Sequence, residues 1–148
     1  MRQEQITCQL VNSFTSQLKK YSHSSKQETL IDMQNHKDLI VWKKSMEHVT
    51  NIYKVTRDFP KDEIFGIVSQ MRRAAVSIPS NISEGYCRLY GKETVKFLSN
   101  ARGSASELET QIIISRNLGF AADDKLEELQ NQIAEILRML SALIKTVE

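Results

Sequence analysis

Basic side chains gather in one stretch of the sequence, between residues 72 and 102, where six arginines and lysines stand against two glutamates and give a net charge of +4. From residue 107 to the end the balance reverses, because four bases stand against eight acids and give −4. Guanidinium and ammonium groups bind phosphate oxygens without reading the bases, so the first stretch is typical of a surface that binds RNA or DNA non-specifically. A solvated helix face, balanced by the acidic end of the chain, is the alternative. The residues predicted to form the nucleic-acid surface are Arg72, Arg88, Lys92, Lys96 and Arg102, with Tyr86 able to stack on a base or to pack against the protein.

Two adjacent arginines, Arg72 and Arg73, cannot serve the same surface, because neighbouring side chains on a helix point about 100° apart. The sequence predicts that Arg73 turns inward and forms a structural ion pair. Its candidate partners are Glu84, Glu107 and Glu109, and such a pair would specify helix register more than it would add stability. Direct contact between Arg73 and a ligand is the alternative.

A polar cluster around Pro79, formed by Ser77, Asn81 and Glu84, has the composition of an active site but lacks the partners that catalysis needs. The three histidines of the chain are scattered, no nucleophile has an identifiable base, and no Glu-x-x-His pair is present for a di-iron centre. We therefore expect no catalytic residue, no metal site and no cofactor, and we interpret the protein as non-enzymatic. Ser77 and Asn81 are expected to bond backbone groups near the proline.

Composition favours one helical domain. The chain has 148 residues, 41% of them hydrophobic, and only two prolines and five glycines. Cys8 and Cys87 are far apart and stand in no C-x-x-C pair, so we expect two unpaired thiols. Neither a membrane-spanning run nor a signal peptide is apparent, which predicts a cytoplasmic protein without membrane contact.

Four stretches repeat apolar residues at three- and four-residue steps, which predicts four amphipathic helices. The first covers residues 37–57 behind an Asn35 cap, the second begins near Asp62, the third covers residues 92–117, and the fourth runs from residue 123 or 124 to the end. The second should kink at Pro79 and stop at Gly85 or Gly91. Long helices joined by short connections predict an all-α, antiparallel up-down-up-down four-helix bundle.

Particular residues are predicted to face the core of each helix. The row expected for the first helix is Leu39, Trp42, Met46, Val49 and Tyr53. The second helix should begin its row at Ile64 and Phe65. The row expected for the third helix is Val95, Leu98, Ala101, Ala105, Leu108, Ile112 and Ser115. That helix should also offer a small, closely packed surface at Ala101, Gly103, Ser104 and Ala105. The row expected for the fourth helix is Leu126, Leu129, Ile133, Ile136, Leu137, Leu140, Leu143 and Ile144.

Residues 1–35 differ from the rest, because serine and glutamine dominate and a strong core face is missing. We predict a polar N-terminal extension, flexible or loosely helical, followed by the bundle over residues 36–148. Ile6, Leu10, Phe14 and Leu18 do recur at four-residue steps, so a short amphipathic helix is the alternative to a mobile leader.

Several sequence segments resemble one known family. Residues 70–85, QMRRAAVSIPSNISEG, resemble the signature of the four-helix-bundle proteins encoded in intervening sequences of bacterial 23S ribosomal RNA. LIVWKK at 39–44, FPKDE at 59–63 and ARGSASELE at 101–109 resemble further landmarks of that family in the same order. Ser83 and Cys87 depart from its usual pattern.

The resemblance implies a four-helix bundle, without implying a particular activity. The family is remotely similar to the accessory variability determinant of diversity-generating retroelements, which forms a pentamer, binds nucleic acid and contacts a reverse transcriptase. By that likeness we expect a homo-oligomer, a pentamer in the simplest case, in which symmetry multiplies the basic charge. A protein-protein adaptor that docks a nucleic-acid enzyme such as a reverse transcriptase, without touching nucleic acid itself, is the alternative function.

Overall fold

The computed structural model describes residues 35–88 and 91–147. The predicted N-terminal extension, apart from Asn35, lies outside these residues. Within them the chain forms four long helices and no strand, which confirms the all-α prediction. The helices are α1 (Ile40–Val55), α2 (Ile67–Cys87), α3 (Lys92–Asn117) and α4 (Asp123–Val147), and short 3₁₀ turns at His36–Asp38 and Lys61–Glu63 precede α1 and α2.

The helices pack as a four-membered bundle in which each contacts its neighbours in sequence and α1 also contacts α4. Two contacts, one near each end of the α2–α3 pair, show that these helices are antiparallel. Met71 near the start of α2 meets Ser115 near the end of α3, and Gly85 near the end of α2 meets Phe97 near the start of α3. These contacts establish the antiparallel arrangement that short connections impose.

Most of the core residues predicted for α3 and α4 are confirmed, although Val95 and Leu137 are only half-buried. The predicted place of Gly103 in the packed surface is wrong, because Gly103 is exposed and a Cβ there would meet nothing within 4 Å. In α3 the buried row includes Leu98, Ala101, Ala105, Leu108 and Ile112. In α4 the buried row is Leu126, Leu129, Ile133, Ile136, Leu140, Leu143 and Ile144. In both helices a single apolar row occurs at helical spacing, so the periodicity alone decides which side faces inward.

Helix α1 turns a different face inward from the one predicted. Its buried row is Val41, Ser45, His48 and Ile52, whereas the predicted row lies on the neighbouring flank. In that flank row Met46 and Tyr53 are each 41% exposed, and Trp42 and Val49 are half-buried. Leu39, Trp42 and Val49 still pack against the edge of the core. The prediction for Met46 and Tyr53 as core residues is therefore wrong.

Helix α2 begins later than predicted and continues through both Pro79 and Gly85. Ile64 and Phe65 precede the helix and are exposed, Phe65 to 94%, so neither belongs to the core. Gly85 does not stop the helix: it is buried inside it, where a Cβ would lie 3.0 Å from Cβ of Phe97. The missing side chain lets α3 approach closely.

The ends of the helices are set by local chemistry. Asn35 caps the 3₁₀ turn, because its side chain accepts a hydrogen bond from the Lys37 backbone, and α1 begins only at Ile40. Gly91 (φ +93°) stands at the start of α3 and Gly119 (φ +68°) follows its end. Both angles lie in the left-handed region that glycine adopts without a steric cost.

Candidate nucleic-acid interface

Lys92 and Lys96 form the clearest part of the predicted basic surface. They lie in the first turns of α3, are exposed, and stand four residues apart, so both side chains project from the same helix face. Neither forms an ion pair with another described residue. Their charge is therefore directed to solvent and is available to an anionic ligand.

Arg88 lies close by, at the end of α2, but carboxylates already offset its charge. Its Nη2 and Nε atoms donate to Oε1 of Glu84 at 2.6 Å and 3.0 Å. The hydrogen bond and the charge of Glu84 raise the pKa of Arg88 above its ordinary value, and Glu93 acts in the same direction. The guanidinium also lies 5.6 Å from the ring centroid of Phe97. Arg88 thus lies against Phe97, the residue that follows Lys96 on α3, but contributes less free charge than the lysines.

Arg72 lies at the other end of the bundle. It stands sixteen positions before Arg88 on α2, which is about 24 Å at 1.5 Å per residue. Its Nε donates to Oγ1 of Thr56 at 3.0 Å, and its guanidinium lies 4.8 Å from the ring centroid of Tyr53. Arg72 is half-buried and joins α2 to α1, so it does not belong with the lysines of α3.

Arg102 is exposed but faces elsewhere. It stands six positions after Lys96, so the two side chains point roughly 120° apart around α3. The predicted single surface is therefore three separate features: the cluster of Arg88, Lys92 and Lys96, the α1–α2 contact of Arg72, and the isolated charge of Arg102.

The predicted inward arginine is the wrong one of the pair. Arg73 is exposed and forms no ion pair with a described residue, while Glu84 binds Arg88 and Oε1 of Glu107 accepts a hydrogen bond from Gln111. The buried face of α2 explains the result, because Arg73 follows the core residue Met71 by two positions, about 200° around the helix. Arg72 follows it by one, and its side chain reaches the α1–α2 boundary instead.

Tyr86 is half-buried and packs against the core. This position matches the packing interpretation of its ring, which was the alternative to base stacking.

The polar cluster near Pro79 holds two helices together. Oγ of Ser104 donates to Oγ of Ser77 across the α2–α3 boundary at 3.0 Å. Nδ2 of Asn81 donates to the carbonyl of Ser77 at 2.8 Å, and Oγ of Ser80 donates to the carbonyl of Val76 at 2.8 Å. These bonds agree with the predicted backbone role of Asn81.

His48 is a residue that sequence reasoning overlooked. It is 1% exposed, and Nδ1 lies 2.9 Å from Oε1 of Gln132 on α4. That oxygen also accepts from Asn51, which identifies Nδ1 as the protonated ring atom and leaves the buried Nε2 without a partner among the described residues. Burial lowers the pKa of His48, and the hydrogen bond to Gln132 opposes the shift. The available signal was its place three residues after Ser45 and four before Ile52.

Carboxylates line an open groove on α4, far from the lysine pair in sequence. Its lining includes the four carboxylates of Asp124, Glu127, Glu128 and Glu135 and one basic side chain, Arg138. Across the part of the chain that the structure describes, His, Cys, Asp and Glu side chains form no group of three that could hold a metal ion. Over the same residues, every helix lacks the length or the apolar character needed to cross a bilayer.

The fold and these surfaces define the class: an all-α four-helix bundle with a basic cluster at the α2–α3 turn and an acidic face on α4. Residues 37–142 match the family described as 23S rRNA-intervening sequence protein, and the chain belongs to that family. The resemblance found in the sequence is thereby confirmed. The remote likeness to the retroelement protein stays a prediction.

A solved structure shares the fold. It is the 1.70 Å crystal structure of a protein with unknown function from the S23 ribosomal protein family of Bacteroides thetaiotaomicron VPI-5482. The two chains are 23% identical, the match covers 72% of this chain and 96% of the other, and the TM-score is 0.66. A search of curated proteins found no significant match.

Proposed function

We propose that this protein is a non-enzymatic homo-oligomer that binds RNA or DNA without sequence preference through Arg88, Lys92 and Lys96. The observation that carries the proposal is the exposed lysine pair at the start of α3, which has no carboxylate partner among the described residues. Ammonium groups on one helix face follow the phosphate backbone and displace its counterions. Arg88 adds a third donor group beside them.

Repetition of this small cluster in a symmetric oligomer would raise its affinity for nucleic acid. In one chain Glu84 and Glu93 offset part of the charge, so a single copy offers few free positive charges. A ring of copies repeats the cluster around an axis, and the summed field then attracts a polyanion that one copy would hold weakly. The pentamer of the remotely similar retroelement protein makes a five-membered ring the first arrangement to test.

A non-enzymatic role accords with the bonding of the polar residues. Ser77, Asn81 and Ser104 are occupied with one another and with backbone carbonyls. His48 lies in the core, out of reach of a substrate. None of these side chains combines a nucleophile with an accessible base.

The test is a salt titration of binding to a short fluorescent single-stranded RNA, followed by anisotropy. We expect affinity to fall steeply with added salt, and the double variant Lys92→Ala, Lys96→Ala to bind more weakly with a log–log salt slope smaller by about 1–2. Lys43→Ala, which removes an exposed lysine from α1, is the matched control and should bind as the parent does.

Light scattering of the same samples measures the number of subunits. Binding that is absent or indifferent to salt would refute the nucleic-acid proposal, as would equal losses in Lys43→Ala and the double variant. A monomeric mass would refute the homo-oligomer.

A second function, the docking of a nucleic-acid enzyme, is favoured by the acidic groove on α4, which is complementary to a basic partner surface. A partner that stays bound after nuclease treatment and dissociates in Glu128→Lys, but not in Lys96→Ala, would support this function.

A further inference from the structure

Helix α1 carries a second apolar row that the described bundle leaves partly uncovered. We call Trp42, Met46, Val49 and Tyr53 the outer row. They recur at steps of four, three and four residues, as the core row of a helix does. On α2, Val76 is 42% exposed and stands one turn after Arg72, which contacts Tyr53 of the outer row. An ordered row of this kind is typical of a surface that packs against another helix.

The chain enters the described bundle beside this row. The 3₁₀ turn His36–Asp38 packs against both α1 and α2, and the ring centroid of His36 lies 5.3 Å from that of Trp42. The 34 residues that precede Asn35 are therefore joined to the bundle at the Trp42 end of the outer row.

The preceding segment has the composition to cover the row. Ile6, Leu10, Phe14 and Leu18 recur every four residues, and residues 5–18 contain no charged side chain. As a helix, the segment from residue 6 to 18 would be about 18 Å long, against about 17 Å for the outer row. The sixteen residues from 19 to 34 can extend to roughly 50 Å, which is ample to place such a helix along α1.

We propose that residues 6–18 form an amphipathic helix that packs along the outer row of the same chain. The proposal concerns a different surface from the nucleic-acid cluster and does not depend on it. In this arrangement Leu10 and Phe14 cover Met46 and Tyr53, and the N-terminal extension adds a fifth helix to the bundle.

The test uses full-length protein and its single tryptophan, Trp42, as the probe. The variant Leu10→Asp, Phe14→Asp places charge on the apolar side of the leader, and Asn12→Asp, Ser16→Asp places the same charge on its opposite side. We expect the first variant to shift Trp42 emission to longer wavelength and to increase its quenching by acrylamide. The second variant should match the parent in both measurements.

The reciprocal test alters the outer row. Met46→Asp should remove hydrogen-exchange protection from residues 6–18. The control is Asn51→Asp, which introduces the same charge about 140° around α1, on the side that faces Gln132 of α4, and it should preserve the protection. Circular dichroism checks that the bundle is intact in each variant. Unchanged Trp42 signals in Leu10→Asp, Phe14→Asp, or unprotected residues 6–18 in the parent, would overturn the proposal. Protection of Trp42 that disappears on dilution together with a fall in mass would also overturn it, because a second copy would then cover the row.

Discussion

Two contacts between helices hold the bundle by different means. Between α2 and α3 the residues are small, and the backbones approach closely at Gly85, where a Cβ would lie 3.0 Å from Phe97 and 3.4 Å from the carbonyl of Thr94. Ala101 and Ala105 of α3 are fully buried, and this pair of helices makes the most extensive contact of the bundle. Dense packing of small residues makes many dispersion contacts over little area.

Between α1 and α4 the contact is narrower and polar. Nζ of Lys44 lies 2.9 Å from Oε2 of Glu135, and the next contact along the helices is the hydrogen bond of His48 to Gln132. Polar pairs of this kind add little net stability, because the free energy gained from their hydrogen bonds is nearly offset by the loss of hydration. The comparison indicates that α2 and α3 form the rigid half of the bundle and that α1 is the helix most easily displaced.

The strongest test compares two glycines in the rigid half. Gly85→Leu should lower the free energy of unfolding by about 2–3 kcal/mol, because neither Phe97 Cβ nor the Thr94 carbonyl can move aside cheaply. Gly103→Ala should raise it by about 0.5–1 kcal/mol, because a Cβ there meets nothing within 4 Å and alanine favours the helix. Urea denaturation measures both. Equal effects of the two substitutions would contradict the close approach at Gly85.

The next test uses acid to weaken the contact between α1 and α4. In the unfolded chain His48 takes up a proton near its ordinary pKa of 6.5, whereas burial lowers its pKa in the folded protein. At a pH between the two pKa values, the unfolded chain binds more protons than the folded protein does. His48 therefore leaves the free energy of unfolding unaffected above pH 6.5 and lowers it as the pH drops below 6.5.

His48→Leu should flatten this pH dependence, which urea denaturation at a series of pH values measures. His36→Gln is the control and should retain the slope. If the slope persists in His48→Leu, another group is responsible for it.

The smallest expected effect is that of the ion pair between α1 and α4. Lys44 and Glu135 are 38% and 41% exposed, so Lys44→Ala should cost less than about 1 kcal/mol. Lys43→Ala, on the solvent side of α1, is its control. Thermal unfolding at low and high salt measures both, and the difference between them should shrink as salt screens the pair. A cost for Lys44→Ala equal to that of Gly85→Leu would refute the contrast between the two contacts.

The sequence predicts a helix well where only one apolar row is present. For α3 and α4 a single row is present, and the bounds and most of the buried residues follow from it. In α1 two rows lie side by side, and the one buried in the structure contains Ser45 and His48. Periodicity shows that a face is apolar without showing what will cover it, so it favours the more hydrophobic outer row.

A count of charged residues along the sequence is also insufficient to predict the candidate interface. Counting bases along residues 72–102 predicted one surface, but the count ignores where each side chain projects and which carboxylate stands nearby. The separation of Arg72 from Lys96 follows from helix length, and the exposure of Arg73 follows from its distance to Met71. Both could be derived once the helix bounds were known. The pairing of Arg88 with Glu84 needed coordinates, because several carboxylates were within possible reach.

The brevity of the link between the two most closely packed helices also bears on the order in which the bundle assembles. Only residues 88–91 separate α2 from α3, whereas residues 56–66 separate α1 from α2, and α1 meets α4 across most of the chain. Closing a short loop costs little chain entropy, and contacts near in sequence form fastest. The α2–α3 hairpin is thus the natural folding nucleus, and the docking of α1 is a late event on the folding pathway.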